Sequence, residues 1–466
     1  MNKYFYYFQK VRDLTHAFIL TQTILNPRIS KSNGWLENHQ QRRLKTLLKH
    51  AKKNSIFYAE HLKTINPEKT PLEEIPILTK NQMMENYDEL VVDPRLKLES
   101  LKNHLSHLKH DQYYENQYKI FQSGGSSKNP AIMAYNWMEF SYILSQILRA
   151  TKKEVRMPFL RRLKGANVYA RTPTHDSIRI SQSFQVGLNV VKDYPVDMPI
   201  EHLIQELNYF QPDVLSGYPS KINELGHAKV NGSLKINPQA IFLGSEPLTP
   251  PMRKNISEAF GTEPNDHYGT TEAIVMACEC PKHLGMHLNE DMHIIEIVDQ
   301  NNRPVNPGEK GHKVLVTNLY AFTQPIIRYE VSDMMLLDEN QDPCPCGNRM
   351  RRIKRIIGRN EDVFHFSNTL GKEVELSHEE ICLAMEDIDN IRQFQAILKQ
   401  DEILIKAILF EKQNENRTRD LILAKLLKLL QRIDVKIKQI RCLFVEELDR
   451  NPEACQKFRQ IYVESP

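Results

Sequence analysis

One short segment combines small, hydroxyl-bearing and cationic residues in a pattern that suits phosphate. Two adjacent glycines let backbone amides approach an anion closely, the serine hydroxyls can donate to phosphate oxygens, and the lysine adds positive charge. The spacing is neither that of a Walker A loop nor that of a dinucleotide fingerprint. An ordinary turn has the same composition, so both readings stay open. The segment consists of Ser123, Gly124, Gly125, Ser126, Ser127 and Lys128.

A second segment, His267–Glu272, carries the groups that a magnesium nucleotide needs. The ring of Tyr268 can stack on a base, and the hydroxyl of Thr271 can bind a phosphate oxygen. The carboxylate of Glu272 can hold Mg²⁺, which prefers oxygen ligands. A polar turn with a core tyrosine is the alternative.

Two further segments place charged residues at the ends of apolar runs. Asp333 ends the run that begins at Pro325, where its carboxylate can accept hydrogen bonds from ribose hydroxyls. Gly358, Arg359 and Asp362 follow a basic run, and a glycine among charged residues at a domain boundary suits a hinge.

Cysteines and histidines cluster in two places about sixty residues apart, which favours a metal site over disulfides. Paired thiolates in a Pro/Gly turn, with a second Cys/His cluster, suit tetrahedral zinc. Four protein ligands would make the site structural, because none of the four positions stays open. Reduced cysteines without metal remain the alternative. The favoured ligands are Cys280, His287, Cys344 and Cys346, with Cys278 and His283 as alternates.

The composition is that of an ordinary globular protein of 466 residues, with 41 % hydrophobic and 26 % charged residues. This length predicts two or three domains. The net charge of +4 is too small to indicate broad nucleic-acid binding. No apolar stretch is long enough to cross a bilayer, and no signal peptide is recognised. We therefore expect a cytoplasmic location, with the aromatic N-terminus forming an amphipathic helix packed on the domain.

Hydrophobic periodicity predicts an α/β fold with a helical region over residues 1–120. Strand-like and helical runs alternate over 130–260, and residues 291–340 are richer in strands. Thr79 is a predicted N-cap. A boundary near Gly358 separates a large multi-layer N-terminal domain, 1–357, in which helices flank β-sheets, from a small, mobile α+β domain, 358–466, joined by a hinge.

In this order, the motifs resemble those of the adenylate-forming superfamily, which includes acyl-CoA synthetases, peptide-synthetase adenylation domains and luciferases. The chain looks most like the phenylacetate–coenzyme A ligase branch and its capsular-polysaccharide relatives. The resemblance covers nearly the whole chain. Besides the segments above, it includes Asn54–Tyr58, Pro76–Lys80, Leu215–Ser220 and Gly244–Leu248.

The resemblance implies a role for each matching residue. The Ser123–Ser127 loop would hold the β- and γ-phosphates of ATP, and Asp333 would bind the ribose. Arg359 would contact ribose or phosphate, and Asp362 would lie at the hinge. Ser245, Glu246 and Pro247 would line the adenine. Tyr268 would flank it, in the same turn as Gly269 and Thr270. Thr271 would contact the α-phosphate, and Glu272 would ligate Mg²⁺.

The chain departs from the family pattern at two lysines. Lys457 is the candidate for the family's late catalytic lysine, but the usual preceding glycine is missing. Lys128 stands where the family usually has a glycine, which would alter loop geometry or nucleotide affinity.

The implied activity is ATP-dependent activation of a small carboxylic acid through an acyl-adenylate, with pyrophosphate release and then transfer to coenzyme A. One alternative acceptor is a carrier-protein thiol; another is an amine or hydroxyl in polysaccharide or natural-product biosynthesis. A third hypothesis is a catalytically impaired nucleotide-binding relative, although Tyr268, Thr271, Glu272 and Asp333 are intact. The acid stays open, and so does a homodimer.

Overall fold

The structure is a computed structural model, and it describes most of the chain. The described residues are 3–22, 34–108, 110–124, 130–152, 154–170, 176–187, 189–376, 378–386, 388, 390–399, 402–451 and 457–464.

Helices dominate the first part of the described chain and recur between strands later. Thr79 is confirmed as an N-cap: its side chain accepts from the backbone N–H of Gln82, and Gln82 returns a bond to the Thr79 backbone. The helices are α1 (Lys3–Gln22), α2 (Trp35–Asn54), α3 (Ile56–His61), α4 (Lys80–Glu85), α5 (Tyr87–Leu90), α6 (Leu98–Ser106), α7 (Trp137–Thr151), α8 (Asp176–Ser183), α9 (Ile200–Phe210), α10 (Pro219–Val230), α11 (Pro250–Phe260), α12 (His378–Glu386) and α13 (Glu415–Arg432).

The strands occupy the middle and the end of the chain. They are β1 (Tyr118–Gln122), β2 (Ile132–Asn136), β3 (Leu163–Tyr169), β4 (Asn189–Pro195), β5 (Val214–Gly217), β6 (Ala240–Gly244), β7 (Asn265–Tyr268), β8 (Ala277–Glu279), β9 (Met286–Leu288), β10 (His293–Val298), β11 (Lys313–Asn318), β12 (Tyr329–Val331), β13 (Asp333–Leu337), β14 (Arg352–Arg359), β15 (Phe364–Ser367), β16 (Glu373–Leu376), β17 (Ile391–Lys399), β18 (Glu402–Leu409), β19 (Gln439–Phe444), β20 (Arg450–Asn451), β21 (Lys457–Phe458) and β22 (Ile461–Val463).

A nine-stranded sheet forms the centre of the fold, in the order β13-β14-β9-β8-β7-β6-β5-β3-β4. Its half from β4 to β7 is parallel, because helices return the chain between successive strands. The other half is antiparallel. The predicted α/β class, with a sheet flanked by helices, is confirmed.

Separate hydrophobic clusters fill the middle and the C-terminal part of the described chain. One lies between the parallel strands and α9, α10 and α11, and includes Leu215 and Ile256. Another contains only residues from Phe364 to Ile461, where α12 and α13 pack on the sheet β19-β18-β17-β22. The last residues of β14, Gly358 and Arg359, still pair with the large sheet.

Candidate active site and cysteine–histidine cluster

The motif residues gather beyond the carboxyl ends of the parallel strands. Strands β5, β6 and β7 end at Gly217, Gly244 and Tyr268 respectively. A Cβ on Gly244 would lie 2.9 Å from the carbonyl oxygen of His267, so this position requires glycine for close strand approach. This edge is where open α/β sheets bind ligands.

Tyr268, Asp333 and Arg359 form one polar group although they come from three strands. The Tyr268 hydroxyl donates to Asp333 Oδ2 at 2.6 Å, and Arg359 Nε lies 3.3 Å from Asp333 Oδ1. The register of β13 on β14 places Asp333 opposite Arg359. Burial and the Asp333 charge raise the pKa of Tyr268 well above its ordinary value, so the phenol stays a donor at neutral pH.

The turn after Tyr268 is shaped by Gly269. A Cβ at Gly269 would lie 1.7 Å from the carbonyl oxygen of Ile274, which no side chain can tolerate. The backbone carbonyls of Thr271 and Glu272 accept from the Tyr135 hydroxyl at 3.2 and 3.0 Å. The turn therefore presents its side chains from a fixed backbone.

Among the described residues, one hydrogen-bond donor contacts the carboxylate of Glu272. Tyr329 donates to Oε1 at 2.7 Å, and Glu272 is 7 % exposed. Among the described residues nothing donates to its Oε2. Two opposing effects act on the pKa of Lys80: burial lowers it, and the negative charge of Glu272 raises it. A buried carboxylate with one free oxygen fits a Mg²⁺ ligand, because this cation takes few protein carboxylates alongside phosphate and water.

Thr270 offers a second group without a partner. Its Oγ1 is buried and makes no hydrogen bond to any residue that the structure describes. Since buried hydroxyls are normally satisfied, this atom is available to a ligand at the turn.

The phosphate-loop candidate is described only at its ends. Ser123 N–H donates to Ala131 O at 2.8 Å, and Ala131 N–H donates to Ser123 Oγ at 2.7 Å, which closes the loop between β1 and β2. Gly124 is buried before the loop. Gly125, Ser126, Ser127 and Lys128 lie outside the described residues, so their role stays a prediction.

Glu246, in the predicted adenine segment, contacts the end of the chain. Phe458 N–H donates to Glu246 Oε1 at 2.8 Å, and Arg450 Nη1 lies 3.5 Å from the same oxygen. Arg450 also donates to Ser220 Oγ at 3.1 Å. Preceding Glu246, Ser245 has a φ of 69°. Because Lys457 directly precedes Phe458, its backbone lies beside this segment. The side chain of Lys457 is not among the parts that the structure describes.

The hinge candidates also contact this end of the chain. Arg459 donates to Asp362 Oδ1. Burial raises the pKa of Asp362 above its ordinary value, and Arg459 opposes that shift. Gly358 has a φ of 138°, a conformation that side-chain-bearing residues avoid. Pro247, the remaining member of the predicted adenine segment, lines a cavity of about 470 Å³ with Ile357 and Met385.

The four favoured metal ligands come together. Their donor atoms lie within 4.8 Å of one another, with Cys280 Sγ 3.5 Å from Cys344 Sγ and Cys346 Sγ 3.2 Å from His287 Nε2. His287 Nδ1 lies 3.1 Å from Met350 O, which fixes the ring and leaves Nε2 for a metal.

The two alternates point elsewhere. Cys278 Sγ accepts from Asn289 Nδ2 at 3.7 Å, and burial raises its pKa to about 11. His283 Nδ1 lies 3.4 Å from Glu279 Oε1. Neither belongs to the cluster of donor atoms, which is formed by the four favoured residues.

Sequence reasoning missed the residues that hold this site together. Tyr135 supports the Thr271–Glu272 backbone, and Arg450 joins the last strands to Glu246. Neither lies in a motif, and no sequence signal marks them. Tyr329 and Lys80 did lie in quoted segments, but only the fold shows that both face Glu272.

Comparison with known proteins supports the class of fold. No protein-family model matches the chain. The 2-hydroxyisobutyryl-CoA ligase, solved in the postadenylation state with R3-HIB-AMP, superposes with a TM-score of 0.71 at 17 % identity, covering 92 % of this chain and 89 % of the ligase. The fold is that of the adenylate-forming acyl-CoA ligases.

Two sequence relatives narrow the comparison. Protein CapK of Staphylococcus aureus is 25 % identical over 345 residues, which is 72 % of this chain and 70 % of CapK. The phenylacetate-coenzyme A ligase of Escherichia coli is 26 % identical over 376 residues, 74 % of this chain and 76 % of the ligase. The chain is thus similar in sequence to the phenylacetate–coenzyme A ligases and to CapK. This similarity, together with the shared fold, confirms the resemblance seen in the motifs.

Proposed function

We propose that this protein is an AMP-forming acid–thiol ligase, which activates a small carboxylic acid with ATP and transfers the acyl group to coenzyme A. The observation that carries this proposal is the convergence of Tyr268, Asp333 and Arg359 beside the buried carboxylate of Glu272. One of the named relatives is a phenylacetate-coenzyme A ligase, and the structural neighbour is a CoA ligase solved with an acyl-adenylate.

In this proposal different described residues bind different parts of the nucleotide. Asp333 accepts from the ribose hydroxyls, Arg359 adds positive charge beside it, and Tyr268 orients Asp333 while flanking the base. Glu272 and Thr271 face the phosphates, where bound Mg²⁺ would neutralise charge on the phosphate oxygens. A carboxylate substrate is already a nucleophile, so positioning and electrostatic stabilisation suffice and no catalytic triad is needed.

The division into 1–357 and 358–466 is part of the same proposal. The separate hydrophobic cluster of residues 364–461 supports it, and so does the unusual backbone of Gly358. The contact of Phe458 with Glu246 supports Lys457 as the late lysine, since it brings that backbone to the adenine segment. A cytoplasmic location and a homodimer stay predictions.

Acid-dependent ATP–pyrophosphate exchange tests the first step. Purified protein with Mg²⁺ is assayed over aryl, short aliphatic and fatty acids, and exchange is expected with at least one class. Asp333→Ala is expected to remove it, whereas Asp299→Ala, which removes only a carboxylate that accepts from the backbone N–H groups of Asn301 and Arg303, should keep it. Absence of exchange in folded wild-type protein over the whole panel contradicts the proposal.

A product assay tests the acceptor. With the preferred acid, the reaction is run with coenzyme A and, separately, with a holo-carrier protein. Acyl-coenzyme A is expected. Acylated carrier alone, or an amide or ester product, would support the alternative acceptors and leave the adenylation step standing.

We also infer that Cys280, His287, Cys344 and Cys346 bind one structural zinc ion. The donor set fits: three sulfurs and one imidazole nitrogen match the Cys₃His sites of structural zinc. The ion would tie β9 and the β8–β9 loop to the loop before β14 and would take no part in the chemistry.

Metal analysis and thermal unfolding test the zinc site. About one zinc per chain is expected for the wild type, and Cys346→Ser is expected to lower both the zinc content and Tm, because structural zinc contributes folding free energy. Cys442→Ser, in β19, is the matched control and keeps the zinc. Wild-type protein free of zinc after purification and zinc supplementation contradicts the inference.

A further inference from the structure

A short loop between α7 and β3 exposes large apolar side chains. Phe159 is 98 % exposed, Leu160 91 % and Met157 58 %. Scattered apolar residues are normal on protein surfaces, but three within four positions of one loop form a protruding apolar tip.

Arginines surround this tip. Arg156 precedes it, and Arg161 and Arg162 follow it, all of them exposed. Arg161 forms an ion pair with Asp213, with Nη1 2.6 Å from Oδ2, which fixes the base of the loop. The loop therefore has exposed apolar side chains at its tip and arginines on both sides of the tip.

Helix α1 adds a second exposed apolar surface. Its inner side is buried against α7 through residues such as Asp13, Ala17 and Leu20. Its outer side exposes Phe8 at 69 % and Phe18 at 58 %, so the helix packs on the domain as predicted and presents an exposed apolar side in the described part of the chain. The other exposed apolar residues of α1 are Phe5, Tyr7, Val11 and Ile19.

The helix and the loop both approach the same end of the large sheet, where β3 and β4 begin. The Tyr7 hydroxyl donates to Val186 O at 3.0 Å, just before β4 begins. At the start of that strand, Asn189 pairs with Leu163, which directly follows Arg162. We call the exposed side of α1 together with residues 156–162 the basic apolar face. It lies at the amino-terminal ends of β3 and β4, whereas the nucleotide motifs lie at the carboxyl-terminal ends of the parallel strands.

We propose that the basic apolar face attaches the protein to the surface of an anionic lipid bilayer. An interfacial helix inserts apolar side chains at the level of the headgroups, and flanking cations are attracted to anionic lipid. Phe159 and Leu160 supply the insertion and the arginines supply the charge. Among the described helices none is long and apolar enough to cross a membrane, so attachment is peripheral. The active site then faces away from the bilayer.

Sedimentation with lipid vesicles tests the proposal. The full-length protein is mixed with vesicles of phosphatidylcholine and phosphatidylglycerol, and with vesicles of phosphatidylcholine alone. Binding is expected only with the anionic lipid and weakens with added salt. The double variant Phe159→Ser/Leu160→Ser is expected to lower the partition coefficient at least about tenfold. Arg156→Gln and Arg162→Gln each lower it about fivefold.

Leu370→Ser is the matched control, because Leu370 is 87 % exposed on a turn far along the chain. It should bind vesicles as the wild type does. Acid-dependent pyrophosphate exchange reports that each variant is folded. Equal binding of wild type and the Phe159/Leu160 variant overturns the proposal, as does wild-type protein that stays with the supernatant while self-associating through this face.

Discussion

Two tyrosines act as hydrogen-bond donors to two carboxylates in the candidate active site. Tyr268 donates to Asp333, and Tyr329 donates to Glu272. Burial and the adjacent carboxylate raise the pKa of Tyr329 above its ordinary value, as they do for Tyr268, so both phenols stay protonated. The two pairs are chemically alike but serve different parts of the proposed ligand, one the ribose and the other the cation.

This difference predicts separable phenotypes. Tyr268→Phe removes the donor that orients Asp333 and is expected to raise the KM for ATP about tenfold, within the range for a hydrogen bond to a charged group. Tyr329→Phe is expected to raise the Mg²⁺ concentration for half-maximal activity instead. Steady-state kinetics with ATP and Mg²⁺ varied independently measure both. Identical effects of the two variants on ATP and Mg²⁺ would contradict the division of roles.

Gly269 gives a sharper steric prediction. Gly269→Ala places a methyl group into the Ile274 carbonyl, so the turn carrying Thr271 and Glu272 must move. We expect pyrophosphate exchange to fall at least about a hundredfold, since small displacements of positioned groups are costly. Gly165→Ala, whose Cβ would make ordinary contact with Val191, is the control and should retain exchange. A fully active Gly269→Ala would mean that the turn has no part in the reaction.

Residues inside motifs were predictable from sequence, whereas their supports were not. The four metal-ligand candidates were selected from six because Cys/His spacing is a local pattern. The hydroxyl of Tyr135 reaches Glu272 O from 137 positions away, and such a contact leaves no periodicity or spacing to read.

Helix α1 is anchored to the rest of the fold by a buried ionic cluster. Asp111 forms ion pairs with Lys119 and with Arg179, whose Nε lies 2.9 Å from Oδ1, and Tyr6 of α1 donates to the same carboxylate. Burial disfavours the charge of Asp111, yet the two cations hold its pKa below the ordinary value. Removing this carboxylate would leave two buried cations without their counter-ion.

Asp111→Asn is therefore expected to destabilise the protein by about 3–5 kcal/mol, measured by urea unfolding. A carboxyl with a lowered folded pKa stabilises above its unfolded pKa, and the effect is lost as pH falls through the folded pKa. The difference in unfolding free energy between wild type and variant should thus be largest above pH 3.8, the ordinary pKa of the carboxyl group, and should decrease below it. Asp88→Asn, at an exposed ion pair with Lys97, should cost less than about 1 kcal/mol. Equal costs for both variants would contradict the buried-charge explanation.

Regions rich in strands could be predicted from the apolar runs of the sequence, whereas the residues at which individual strands end could be predicted less well. Strand β10 lies inside the predicted strand-rich region 291–340. Strands and helices alternate from β3 to α11, inside the region 130–260 where alternation is predicted. Strand β14 continues through Gly358 to Arg359, since pairing with β13 outweighs the local preference of glycine for a break.

At the scale of the whole molecule, Glu246, which follows β6, contacts both of the short strands β20 and β21. Glu246 is 3 % exposed in its side chain and is contacted by both Arg450 and the backbone of Phe458, so β20 and β21 are docked at the adenine segment. We propose that this contact belongs to the adenylation step, and that the proposed small domain, 358–466, leaves it for thiol transfer.

Arg450→Ala should consequently affect the two half-reactions differently. Loss of the contacts to Glu246 and Ser220 weakens docking of Lys457, so the exchange rate is expected to fall about tenfold. Transfer from a supplied acyl-adenylate to coenzyme A should keep its wild-type rate, because that step requires the undocked arrangement. Lys412→Ala removes an exposed ion pair with Glu446 in the same part of the chain and is expected to change neither rate. If Arg450→Ala slows both half-reactions equally, the contact serves stability of the fold rather than the adenylation arrangement.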